Sequence, residues 1–160
     1  MSETYIAYYE SPIGILQIEG SRAGVSGIDF VEARARKAGK GPLPKPVKDC
    51  LAQLDGYFRG TRKDFTVKLD LRGTAFQMKV WTKLRAVGFG RTTTYKALAR
   101  AAGKPAATRA VGGANHRNPV SIVVPCHRVV GSDGRLTGYG GGLWRKDWLL
   151  RHEGHDLLKI

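Results

Sequence analysis

Acidic residues are missing from a long internal stretch of this 160-residue chain. None lies between Asp70 and Asp133, while Arg and Lys recur 11 times there. The whole chain holds 27 Lys+Arg against 13 Asp+Glu, a formal net charge of +14. Residues 1–70 carry 11 basic and 9 acidic residues, and residues 71–160 carry 16 and 4, so nearly all the excess sits in the second half. The basic residues are spread out, as on a folded surface rather than a tail, and such a surface suits a polyanion, nucleic acid first. A basic protein with no such partner is the plainer alternative. Histidine is absent before His116, and the only cysteines are Cys50 and Cys126, with no Cys-x-x-Cys pair. That excludes a four-thiolate zinc site. No apolar run approaches the roughly 18 residues of a membrane-spanning helix. Met1 to Tyr5 lack the basic-then-apolar pattern of a secretory signal, so a cytoplasmic location is expected and a disulfide is not. Apolar residues at 42% and charged residues at 25% are ordinary for a globular chain and exclude wholesale disorder.

What is present reads as two parts. Residues 5–9, 13–18 and 25–30 are short runs rich in Ile, Val and Tyr, separated by Ser11-Pro12 and Gly20-Ser21, and predict an antiparallel meander. Residues 32–48, with Pro42, Pro44 and Pro46, read as a linker. Val47, Leu51, Leu54 and Phe58 are spaced for an amphipathic helix ending at Gly60, in which Cys50 is a small buried hydrophobe. Residues 65–71 alternate as one more strand. At Gly73 the character changes. Thr74-x-x-Gln77 is a capping box opening a helix with Phe76, Val80, Trp81 and Leu84 inward. Short helices over 95–102 and 106–114, joined by Gly103-Lys104-Pro105, make a helix-turn-helix pattern. A brief β-type run, 122–124, stops at Pro125. Six glycines crowd residues 131–142, and a last helix covers 144–152. The expected fold is α+β: residues 1–72 form a small N-terminal antiparallel sheet with a helix, and residues 73–160 a mostly helical domain.

The second helix of the pair is unlike a major-groove reader, which presents long polar side chains. It runs Ala106-Ala107-Thr108-Arg109-Ala110-Val111-Gly112-Gly113-Ala114, with Arg109 as its one long side chain. Either the small face packs on another helix and Arg109 is merely solvated, or the face enters a minor groove and Arg109 enters the base stack. Pro125-Cys126-His127-Arg128-Val129-Val130 is the other informative stretch. Cys126 is expected at the end of the Val-rich strand. A thiol of pKa about 8.5 needs a base or positive charge to become a nucleophile, and His127, Arg128 and loop amides are candidates. Neighbours in a strand point opposite ways, so a base acting through one water is geometrically easier than a direct contact. An inert cysteine and a structural histidine remain open readings of the same pair.

Taken together, several blocks resemble one family. They are Gly73-Thr74-x-Phe76-Gln77-x-x-Val80-Trp81, Thr94-Tyr95, Arg109 to Ala114, Asn118-Pro119-Val120, Pro125 to Val130, Gly141-Gly142-Leu143 and Leu149-Leu150-x-His152-Glu153-Gly154. In order and spacing they resemble the O6-alkylguanine-DNA alkyltransferases over residues 73–154. The hexapeptide around Cys126 is the family's specific signature. The N-terminal part resembles the family only loosely, through Ser11-Pro12-Ile13-Gly14.

The resemblance implies direct DNA repair: one alkyl group moves irreversibly from O6-alkylguanine in double-stranded DNA to Cys126, after minor-groove binding and flipping of the nucleotide. It implies that His127 draws the thiol proton through a water, that Glu153 orients His127, and that Tyr95 hydrogen-bonds or protonates the departing guanine. Arg109 would fill the gap in the duplex, with Tyr95, Thr94, Ala107, Thr108 and Gly112 completing the DNA-binding set. Val129, Tyr139, Gly140 and Asn118 would form the substrate pocket, and Asn118 would tie the helical unit to the Cys126 segment. The carbonyls of Cys126 and Val129 would accept from the guanine amino group. Gly140 departs from the many relatives that carry Ser there, which removes a hydroxyl contact but not a backbone one. Some relatives bind zinc in the N-terminal half; the lack of ligands here predicts no metal, and no cofactor is expected. A monomer is expected.

Two other functions compete. A non-catalytic relative would bind and flag alkylated DNA with the same fold, but such relatives replace the cysteine that this chain keeps. A Cys-His acyl hydrolase would explain the dyad but neither the acid-free basic segment nor the helix of small residues.

Overall fold

A computed structural model describes residues 3–33 and 41–155 of the chain. Within these, the chain divides into two compact units. Of the described residues, those up to 72 with 119–123 form one, and 73–118 with 124–155 the other. Residues 119–123, assigned from the sequence to the C-terminal part, thus cluster with the sheet.

In the first unit, β1 (Tyr5–Ser11), β2 (Gly14–Ser21) and β3 (Gly24–Val31) form an antiparallel sheet in the order β1-β2-β3. Ser11 pairs with Gly14 across the first turn, and β2 bulges between Glu19 and Gly20 where it pairs with β3. The period-two alternation sends Leu16 and Ile18 inward, both fully buried. Helix α1 (Lys45–Phe58) packs against all three strands through Val47, Cys50, Leu54 and Tyr57. It begins two residues before the apolar pattern suggests. Pro44 is its N-cap and Pro46 sits in its first turn, where a missing N–H costs no helical hydrogen bond. Two of the three prolines counted as linker, Pro44 and Pro46, therefore start the helix, and residues 34–40 of that expected linker lie outside the described residues.

The strand expected over 65–71 is not formed. The segment meets β3 at a single parallel bridge, Val25 to Leu69, with Val25 N–H donating to Lys68 O and Asp70 N–H to Val25 O, each at 2.8 Å. Gly24 (φ +143°) admits this approach, since a Cβ there would lie 2.6 Å from the Leu69 carbonyl carbon. Residues 119–121 make a second parallel bridge on the same strand, Val120 to Ile28.

The second unit opens with α2 (Ala75–Arg85). Its capping box is complete: the Thr74 hydroxyl accepts from Gln77 N–H at 3.1 Å, and Gln77 Oε1 accepts from Thr74 N–H at 3.0 Å. Buried Trp81 donates its indole N–H to Ala114 O at 2.8 Å, fixing α2 to the end of α4 (Thr108–His116). Between them α3 (Tyr95–Ala101) is capped by Thr94, whose hydroxyl accepts from Ala97 N–H. Two residues just before α3 form β4 (Thr93–Thr94), parallel to β5 (Val129–Val130). This short ladder, not foreseen from the sequence, sets the start of α3 beside the chain that follows Cys126. Helix α5 (Leu143–His152) closes the unit.

Candidate active site

The chain reaches Cys126 by a turn rather than by the expected strand over 122–124. Ile122 has φ +73°, a left-handed conformation rare for a β-branched residue, and Val123 N–H bonds back to Ser121 O. Cys126 to Arg128 form a single 3-10 turn, with Cys126 N–H on Val124 O at 2.8 Å and Arg128 N–H on Pro125 O at 2.9 Å. Buried Asn118 donates from Nδ2 to the same Val124 carbonyl at 2.7 Å. This bond joins the end of the helical segment to the cysteine turn.

Cys126, His127 and Glu153 are all buried, with His127 fully enclosed. Glu153 follows α5 and reaches His127, its Oε2 lying 2.8 Å from His127 Nε2. Arg128 grips the same carboxylate at two points, Nε to Oε1 at 2.8 Å and Nη2 to Oε2 at 3.0 Å, and donates from Nη1 to Val87 O at 2.6 Å. The guanidinium therefore serves Glu153, which corrects the expectation that Arg128 charges the thiol. Burial alone would raise the Glu153 carboxyl, but the hydrogen bonds and charges of His127 and Arg128 outweigh it and hold the group well below the carboxylate range. Burial pushes His127 below its ordinary value against the pull of Glu153, so the ring is neutral at pH 7. With Glu153 accepting at Nε2, the ring proton belongs there. Nδ1 is then a bare acceptor, and it has no hydrogen-bond partner among the described residues.

Burial raises the Cys126 thiol. A hydrogen bond from Asn118, the charge of Lys146 and the amides of Cys126 and His127 act in the opposite direction. Lys146 is a site residue that the sequence reading missed. It is fully buried, and Nζ donates to Val129 O at 2.5 Å, Thr137 O at 3.2 Å and Thr137 Oγ1 at 3.1 Å. Burial lowers it to about 8, partly countered by Cys126. Thr137 Oγ1 in turn lies 2.8 Å from Tyr95 Oη. An ammonium only donates, so Thr137 accepts from Lys146 and can pass its own proton toward Tyr95, leaving the phenol proton directed outward. The signal for Lys146 was present: with Leu149, Leu150 and Glu153 it completes an i, i+3, i+4, i+7 stripe that is buried throughout.

The other expected residues divide in two. On α4, Thr108, Arg109, Ala110 and Gly113 are exposed, while Val111, Ala114 and Asn115 face inward. The small-residue face is a surface, not a packed seam. Ala107 caps α4, and Gly112 lies against the Tyr95 ring, where a Cβ would sit 3.8 Å away. Thr94 spends its hydroxyl on the α3 cap. Near the cysteine, Val129 already accepts from Lys146, leaving one lone pair of its carbonyl for another donor. Tyr139 is half-buried. Gly140 is exposed, and a Cβ there would meet nothing within 4 Å, so packing does not enforce the departure from Ser.

Residues 4–71 match the family description "6-O-methylguanine DNA methyltransferase, ribonuclease-like domain", and residues 75–155 match "6-O-methylguanine DNA methyltransferase, DNA binding domain". The chain belongs to this family. It is 44% identical over 156 residues to the methylated-DNA–protein-cysteine methyltransferase of Methanosarcina barkeri, covering 96% of this chain and 99% of that one. It is 44% identical over 151 residues to the enzyme of the same name from Mycobacterium leprae, covering 93% and 92%. Among solved structures, the Mycobacterium tuberculosis O6-methylguanine methyltransferase superposes with a TM-score of 0.82 at 41% identity, covering 94% of this chain and 93% of that one. The same organism's OGT in complex with DNA gives 0.80 at 43%, covering 91% and 90%. The α+β fold is that of this family.

Proposed function

We infer that this chain repairs DNA directly, taking an alkyl group from O6 of guanine in a duplex onto Cys126, once per molecule. The observation that carries the reading is the buried Cys126 turn beside a neutral His127 whose proton is fixed on the Glu153 side. The alkyl group of a stacked base lies out of reach of a buried thiol, so the nucleotide must first leave the helix. Exposed small residues of α4 suit close approach to a minor groove, and the exposed Arg109 is the side chain proposed to fill the vacated space.

His127 Nδ1 takes the thiol proton through a bridging water, and Glu153 with Arg128 holds the resulting imidazolium. The thiolate sulfur attacks the alkyl carbon, the S–C bond forms as the C–O6 bond breaks, and the electron pair leaves with guanine. Tyr95 supplies a proton to the departing base and is replenished along Thr137 and Lys146. The thioether has no ready leaving group, and among the described residues no group is placed to regenerate the thiol, so the protein is consumed. Val129, Tyr139 and the backbone at Gly140 line the base pocket. The protein works as a monomer in the cytoplasm, without cofactor or metal. No helix among the described residues is long and apolar enough to cross a membrane.

The test is intact-mass and peptide mass spectrometry after mixing with duplex DNA containing O6-methylguanine. The expected result is a gain of one methyl on the peptide holding Cys126, absent in Cys126→Ser. A mass that does not change while the duplex is bound would favour a protein that only flags the lesion.

A further inference from the structure

Two large apolar side chains stand out in solvent among the described residues, and they are adjacent: Leu143 is 50% and Trp144 is 58% exposed. They open α5, immediately after the turn closed by Gly142 N–H on Tyr139 O at 2.9 Å. The indole is held in place. Arg145 lies over the ring, its guanidinium carbon 4.7 Å from the centroid, and Arg145 Nη1 is anchored on Gly141 O at 3.0 Å. Gly142 (φ +96°) lies against the ring edge, where a Cβ would come within 3.4 Å of the indole. Much of the ring stays open to solvent. The nearby carboxylate of Asp147 is engaged by Arg151 at 2.9 and 3.0 Å. The unit that carries the patch is strongly basic, with 15 Lys+Arg and 4 Asp+Glu over residues 73–118 and 124–160.

An open indole face with a guanidinium fixed beside it presents the two features that an unpaired nucleotide takes: a stacking plane and a positive charge. An aromatic left this exposed is unfavourable in water unless something covers it, and the charge of this unit selects a polyanion. We propose that Leu143 and Trp144, with Arg145, form a platform on which an unstacked base of a bound DNA strand stacks. The proposal rests on the DNA-binding part of the reading above and adds a contact outside the cysteine site. Stacking is indifferent to base identity, so the platform would add affinity for unpaired strand without sequence preference.

The protein carries its own reporter. Of its three tryptophans, Trp81 is buried and Trp148 is stacked on His152, so the most exposed emission belongs to Trp144. Unmodified oligothymidylate is the probe, with circular dichroism checking that variants fold. The expected result is quenching of the parent's emission on binding, lost in Trp144→Phe although that variant still binds. Trp144→Ala should bind about tenfold more weakly, with the salt dependence of binding unchanged because no phosphate contact is removed. Equal affinity in Trp144→Ala, or a loss accompanied by a shallower salt dependence, would overturn the platform. If the parent bound neither duplex nor oligothymidylate, the DNA reading itself would fall. If it transferred alkyl groups normally and only the tryptophan variants were silent, the platform alone would fall.

Discussion

Arg128 and Glu153 form a buried two-point ion pair, at 2.8 and 3.0 Å, with His127 on the same carboxylate at 2.8 Å. One carboxylate thus serves both a guanidinium and an imidazole, and on the proposed mechanism the imidazole gains its charge only with the thiol proton. Removing the guanidinium leaves a buried carboxylate short of partners, which typically costs about 3–5 kcal/mol.

Arg128→Met should therefore lower the unfolding free energy by about that amount in urea titrations, and slow alkylation of Cys126 in whatever protein remains folded. The sign with pH follows from the depressed Glu153 value. The pair's stabilisation is complete above the unfolded carboxyl pKa of about 4.3 and fades as pH falls toward the folded value. Thermal midpoints of the parent should drop across that acid window, and those of Arg128→Met should drop less.

Lys146 predicts the alkaline side of the rate profile. Its ammonium form, which favours the Cys126 thiolate, is present below about 8 and is lost above it. If His127 is the base, its lowered value keeps it unprotonated through neutral pH, and that role would be lost only at lower pH. Single-turnover alkylation should thus fall only at pH values under the ordinary imidazole range, and decline again above about 8. Lys146→Met should be slower at pH 7 and lack the alkaline decline. A parent rate that climbs steadily through pH 9 would remove Lys146 from the account.

The path Lys146–Thr137–Tyr95 can be cut without removing either end. Thr137→Val keeps the shape but drops both hydrogen bonds at Oγ1. It should slow transfer, and less than Tyr95→Phe does, since Tyr95 retains its own proton. Equal rates for parent and Thr137→Val in a single-turnover assay would show that the phenol is replenished from elsewhere.

For Arg109 the comparison is between substrates. If its planar guanidinium fills the space of a flipped base, Arg109→Ala should slow repair of an alkylated duplex about tenfold or more, because unstacking a base costs roughly a few kcal/mol. Arg109→Lys should recover only part of that. Free O6-benzylguanine needs no flipping, and its rate should hardly change. Equal losses on free base and duplex would place Arg109 in the pocket's structure.

Local patterns carried much of this molecule. The meander, the capping box at Thr74 and the helix pair are written in alternation, cap residues and apolar spacing, whereas the roles given to Cys126, His127 and Glu153 come from the family resemblance and not from the residue pattern alone. What the sequence hid depends on contacts between distant segments. The 65–71 run alternates like a strand, yet it meets β3 at one bridge, beside Gly24, whose lack of a side chain admits the approach. The Ile122 to Val124 run is β-type in composition, but a left-handed Ile122 turns it. Lys146 falls on the buried stripe of Leu149, Leu150 and Glu153, but the spacing alone does not show what partners its ammonium. The carbonyls of Val129 and Thr137 and the Thr137 hydroxyl, brought to α5 by tertiary folding, make its burial tolerable.

The central claim is that Cys126 accepts one alkyl group and keeps it. The direct measurement is a titration: a fixed excess of duplex O6-methylguanine, rising amounts of protein, and repaired guanine counted at completion. The account predicts a straight line at no more than one guanine restored per chain, with every consumed molecule carrying a methyl thioether at Cys126. Restoration that continues past one equivalent, or a methyl found on any other residue, would contradict it.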